Sequence, residues 1–184
     1  MRKAALFALV FAAVPFAVDA QSMDQAAIDR ALLAAPANLK EEAAVISFDS
    51  NGRIVVVREG SNGLMCWDSS NEPGRQGNWT SQCTSELNRA RVEQNHQFSH
   101  RGRTNEAIQE LIDEAELDGS RAVPAYGSMY YHWRGDAETG GSHTNIAVPY
   151  ATEANSQIPE SRRNDAMWIM DAGTSAAHLM IPGF

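Results

Sequence analysis

The chain is 184 residues long and 43% hydrophobic, with a formal net charge of −8 at pH 7 from 15 Lys and Arg against 23 Asp and Glu. No basic run is present. The clustered cations that displace counterions from nucleic acid, or hold a protein to an anionic membrane surface, are therefore missing.

Residues 1–20 read as a signal peptide. Arg2 and Lys3 form a charged start, an apolar run follows over 4–18, and Val18-Asp19-Ala20 is a small-x-small cleavage site. The apolar run is short for a membrane span and no second one follows, so no membrane association is expected after cleavage. The expected mature chain begins at Gln21, forms one globular domain over 21–184, and is periplasmic or secreted. Loss of Arg2, Lys3 and Asp19 takes the charge from −8 to −9.

Residues 22–35 predict the first helix. Ser22 and Gln25 have capping-box spacing, Ile28, Ala31, Leu32 and Ala35 recur on one face, and Pro36 ends the run. Three strand-like runs follow over 44–48, 54–58 and 64–68, with Asn51-Gly52 and Asn62-Gly63 between them. Asn-Gly favours tight hairpin turns, because both residues tolerate positive φ. The pattern predicts a three-stranded antiparallel meander with Ile54 to Arg58 in the middle. Four consecutive β-branched residues suit a strand covered on both faces.

Cys66 and Cys83 are the two cysteines, and in an exported chain they predict one disulfide. The intervening WDSSNEPGRQGNWTSQ reads as a loop, whose closure contributes about 3 kcal/mol in the chain-entropy model. It contains Asn78-Trp79-Thr80, a glycosylation acceptor pattern that is chance in a bacterial host. Residues 85–97 predict a second helix with a thin apolar stripe, read as a solvated polar connector. His96 and His100 have i,i+4 spacing, but Arg89, Arg91, Arg101 and Arg103 oppose a cation, and no His-Glu-x-x-His is present. No metal site is assigned.

Residues 104–118 form the clearest helix signal. Thr104 is the cap, Ile108, Leu111, Ile112 and Ala115 make the stripe, and Gly119 supplies the stop. The stripe is expected to cover one sheet face. Residues 128–134 alternate, with Met129, Tyr131 and Trp133 on one side and Tyr130, His132 and Arg134 on the other. A further strand is expected over 145–149, then a polar excursion. Two strands over 166–171 and 175–181 join through Gly173, with His178 and Met180 on one face of the second. The expected fold class is α+β: an antiparallel sheet, made of the N-terminal meander and the C-terminal strands, packed against two or three helices.

The turn Arg58-Glu59-Gly60-Ser61-Asn62-Gly63, the following Cys66 and the closing Ala177-His178-Leu179-Met180-Ile181-Pro182 resemble a family of small, uncharacterised exported bacterial proteins with no assigned activity. The resemblance covers scattered segments from about Leu32 to the end. It implies a signal peptide and a small sheet-containing domain, and it carries over no catalytic residue.

Nucleophile-elbow, Walker, Rossmann, zinc and two-cysteine redox signatures are absent, so no catalytic residue, cofactor or metal is assigned. The expected ligand-facing group is Tyr130, His132 and Arg134 on one strand face, with Asp171 and His178 if the strands are neighbours. The expected function is a non-enzymatic binding or interaction module of the bacterial envelope, taking an unknown small molecule or another envelope protein through its Trp and Tyr side chains. The alternative is a hydrolase using a His132/His178 pocket for acid–base work, although no Ser or Thr has nucleophile context.

Overall fold

The computed structural model describes residues 25–72, 79–162 and 166–181. The signal peptide, cleavage before Gln21, the Ser22 cap, Asn78 of the acceptor pattern and Pro182 all lie outside the described residues.

The fold is α+β. Eight strands form one sheet: β1 (Ala44–Phe48), β2 (Ile54–Arg58), β3 (Leu64–Asp68), β4 (Ser81–Ser85), β5 (Met129–Arg134), β6 (Gly141–Ala147), β7 (Trp168–Met170) and β8 (His178–Met180). Four helices accompany it: α1 (Gln25–Ala31), α2 (Arg89–Gly102), α3 (Asn105–Asp118) and α4 (Glu153–Ser156). Among the described residues no helix is long and apolar enough to cross a membrane.

The strand order is β2-β1-β3-β4-β5-β6-β8-β7, and every neighbouring pair is antiparallel except β1 with β3. This corrects the expected meander. β2 is an edge strand, and β1 lies between β2 and β3. The connection from β2 to β3 crosses the start of β1 instead of turning back beside β2. Ser61 N donates to Glu42 O, and Gly60 lies so close to the β1 backbone that a Cβ there would meet Ala44 N at 2.2 Å. Only glycine permits that crossing. Ile54 and Val57 reach the two cores, whereas Val55 and Val56 are 43% and 38% exposed. The Asn-Gly turns are not type I′ either: Gly52 and Gly63 have positive φ, but Asn51 and Asn62 do not. Asp49 Oδ1 instead accepts from Asn51 N and Arg53 N.

α1 covers one sheet face. Ala31, Leu32 and Ala34 pack with Val45, Leu64, Cys66 and Cys83, and with Tyr131 and Trp133 of β5. Cys66 and Cys83 are directly opposite on β3 and β4 and form the predicted disulfide. β4 itself is not visible as a strand in the sequence, because Ser-Gln-Cys-Thr-Ser has no apolar alternation. α2 covers the other face, with Val92 against Ile46, Met65 and Trp67. It is not a solvated connector: Arg91, Val92, His96 and Phe98 are all buried. α3 begins at the predicted Thr104 cap, whose side chain accepts from Ala107 N, and stops at Gly119 with φ +77°. Its stripe packs on α2, not on the sheet, so α3 is a second layer. A third cluster joins Val148, Ala151, Ile169 and Ala177 beneath the β7–β8 hairpin.

Candidate functional site

Strand alternation and register assemble one polar sheet face. Tyr131 and Trp133 go to the α1 core, so Tyr130, His132 and Arg134 point the opposite way. Their cross-strand partners follow them: Thr84 and Gln82 on β4, and Asn145 and His143 on β6. On β8, Met180 pairs with Asn145, and His178 pairs with Ala147. α2 lies over this face and presents Arg91, Asn95 and Ser99 at four-residue intervals. Between helix and sheet is a cleft of about 220 Å³. Trp67, Glu72 and His96 lie along it, as do Tyr130, His132, Asn145 and His178.

Arg91 is 6% exposed. Its Nη1 donates to Ala122 O at 2.8 Å and to Ser175 Oγ at 2.7 Å. Ser175 Oγ in turn hydrogen-bonds to Glu116 of α3, so a carboxylate holds the arginine through one hydroxyl. Burial depresses the guanidinium pKa, while Tyr130 and Glu116 act to raise it. A second arginine stands behind it. Arg121 donates to Gln94 Oε1 and Asn95 Oδ1 and lies over the Phe98 ring at 5.2 Å. Burial, then the neighbouring Arg91 charge, brings its pKa down to about 10, against a smaller opposing pull from Glu116. Among the described residues neither arginine forms a salt bridge with a carboxylate.

Tyr130 is largely buried, and burial pushes its phenol up to about 12 despite the nearby Arg91 and Thr84. Its hydroxyl and Asn145 Oδ1 are buried without a hydrogen-bond partner among the described residues. Thr84 Oγ1 lies close enough to Tyr130 to favour its ionised form, but no well-directed hydrogen bond joins them. Thr84 instead donates to Met129 O and accepts from Asn88 Nδ2. His178 Nδ1 is 2.8 Å from Ala176 O, a contact that requires the Nδ1–H tautomer and leaves Nε2 as an acceptor. His96 stacks on Phe48 with centroids 3.3 Å apart, and its Nε2 is 3.3 Å from Glu72 Oε1, which also accepts from Trp67 Nε1.

Of the five residues expected to face a ligand, Tyr130, His132 and His178 share the cleft. His132 is 8% exposed and its ring lies 4.8 Å from that of Trp79. Arg134 and Asp171 do not line it. Arg134 is exposed at the strand end, its guanidinium 4.6 Å from the Trp79 ring centroid. Asp171 occupies the β7–β8 turn with φ +55°, its carboxylate 3.9 Å from His178 Nδ1, beyond hydrogen-bond reach. Arg91, Asn95, His96 and Asn145 are the site residues that sequence reasoning missed. The i,i+4,i+8 spacing of Arg91, Asn95 and Ser99 was the available signal. It read as a solvated face because nothing local showed that a second polar surface covers it. No known protein family, curated protein or solved structure matches this chain.

Proposed function

We propose that this is an exported, non-enzymatic binding module that takes a small molecule into the cleft between α2 and the polar sheet face. The observation that carries this reading is the unused hydrogen-bonding capacity inside the cleft. Tyr130 O–H and Asn145 Oδ1 are held by packed strands yet have no hydrogen-bond partner among the described residues, and buried polar groups are retained unpaired at a cost unless something else satisfies them. A concave site with a few convergent polar groups on an apolar floor is the usual form of a ligand pocket. The Cys66–Cys83 bond supports an oxidising compartment, in keeping with export.

Thermal denaturation of the mature, oxidised protein against a broad small-molecule set tests this. Ligands of the cleft raise the midpoint by an amount that grows with the logarithm of ligand concentration above Kd. Ser99→Trp, which fills the cleft from α2, removes that response. Equal responses from wild type and Ser99→Trp refute the assignment to this cleft.

A second reading, a hydrolase, draws on the His178 tautomer, which directs a basic Nε2 away from the backbone. Among the described residues it lacks a hydroxyl nucleophile bonded to that nitrogen and a carboxylate bonded to Nδ1, since Ala176 O occupies the latter position. Hydrolysis of activated esters that is lost in His178→Ala would favour it over the binding module.

A further inference from the structure

Extending the binding reading, on which this step rests, we infer that the ligand is a small carboxylic acid in its ionised form, held by the Arg91 guanidinium and the Tyr130 hydroxyl. The chain is acidic overall, yet two arginines are buried at one side of the cleft without a salt bridge among the described residues. Buried charge is costly when unpaired, and Glu116 reaches Arg91 only through Ser175. An entering anion supplies the missing counter-charge.

The geometry of Arg91 selects the kind of anion. Nη1 is committed to Ala122 O and Ser175 Oγ, which fixes the plane of the group. Nε and Nη2 form no hydrogen bond to any described residue. Two parallel donors on a fixed plane match the two oxygens of a carboxylate. Tyr130 O–H is a further donor, protonated at neutral pH because burial raises its pKa to about 12. The cleft also presents acceptors: Asn145 Oδ1, the His178 imidazole and the Glu72 carboxylate. These oppose the additional charged oxygens of a phosphate and suit a hydroxyl or amino group on the same ligand. Size agrees. A cavity of about 150 Å³ holds benzene, so one of about 220 Å³ takes roughly nine non-hydrogen atoms by the same measure.

The test uses matched pairs of hydroxy- and amino-substituted aryl and alkyl carboxylates with their primary amides, such as 4-hydroxybenzoate with 4-hydroxybenzamide. Inorganic phosphate is a third arm. Binding to the mature, oxidised protein is followed by ligand-observed NMR and calorimetry. The expected result is that carboxylates bind at least tenfold tighter than their amides. Arg91→Gln abolishes that preference, and Tyr130→Phe, which removes a hydroxyl with no hydrogen-bond partner among the described residues, weakens carboxylate binding several-fold in a folded protein. If amides bind the cleft as well as carboxylates, or Tyr130→Phe leaves carboxylate affinity unchanged, the anion assignment fails and the binding module stands. If phosphate displaces every carboxylate at equal concentration, the carboxylate class is wrong. If no carboxylate binds in a Ser99→Trp-sensitive way while other members of the broad set do, the anion assignment alone fails; if no member of that set does, the binding module fails with it.

Discussion

Removing the Tyr130 hydroxyl should make the ligand-free protein more stable. An unsatisfied buried hydroxyl costs about 1–3 kcal/mol relative to its hydrated state in the unfolded chain. Tyr130 O–H is such a group, since it is buried and no described residue accepts its proton. Tyr130→Phe leaves the ring in place between Thr84 of β4 and Asn145 of β6 and deletes only the oxygen. The void left is about 10 Å³, which at about 24 cal/mol per Å³ costs a few tenths of a kcal/mol. The net expectation is a gain of about 1 kcal/mol, or a rise of roughly 2–4 °C in the thermal midpoint for a chain of this size. Urea and thermal denaturation at pH 7 measure it, where a phenol with a pKa of about 12 is neutral in both states. A loss of 1 kcal/mol or more would refute the reasoning, because the hydroxyl would then have a partner within the protein and would not be reserved for a ligand.

The other expectations concern the scaffold. Cys83→Ser should cost roughly 2–4 kcal/mol by urea denaturation, since the bond closes a separation of 17 residues; non-reducing mass spectrometry of exported protein should find no free thiol. Gly60→Ala should cost about 3 kcal/mol or more, because the new Cβ meets the backbone of Ala43 and Ala44, which cannot yield. Gly63→Ala, with φ +74° but open space around it, should cost only about 1–2 kcal/mol by the same denaturation assay. His143 titrates below its ordinary 6.5, mainly through burial and also through His178 and Arg134, against the nearby Asn145 side chain, which favours the charged imidazole without a well-directed hydrogen bond to it. Just below that pH the unfolded chain binds more protons than the folded one. The stabilisation is therefore complete above about pH 6.5 and is lost as pH falls towards the folded value, a slope that His143→Gln should flatten in midpoint-versus-pH measurements.

Local chemistry made some elements legible. The Thr104 cap and Gly119 stop bound α3, and alternation separated Tyr131 and Trp133 from Tyr130 and His132. The α3 stripe, expected to cover a sheet face, packs elsewhere, and it is the α1 segment that covers the Tyr131 face. Apolar periodicity reports the faces that become cores. It is silent on β4, whose strand is fixed by its neighbours and the disulfide, and on α2, which carries a polar face into a polar cleft. The β1–β3 pairing depended on one glycine passing another backbone, and no strand propensity encodes that. The spacing of Arg91, Asn95 and Ser99 could not be read as a site, because Ser175, which holds Arg91, is 84 residues away.

That separation also sets an order of assembly. α2 and β4 precede β8 in the chain, so their residues are present before the cleft can close. Ser175, which fixes Arg91, and His178, which walls one end, are among the last described residues. Without the residues from Ser175 onward, Arg91 keeps only its contact to Ala122 O and loses the hydroxyl that links it to Glu116. Closure of the cleft is thereby tied to the C-terminal strands of the sheet. A truncation ending before Ser175 would keep the β1–β4 core but have neither the arginine's hydroxyl support nor the imidazole wall.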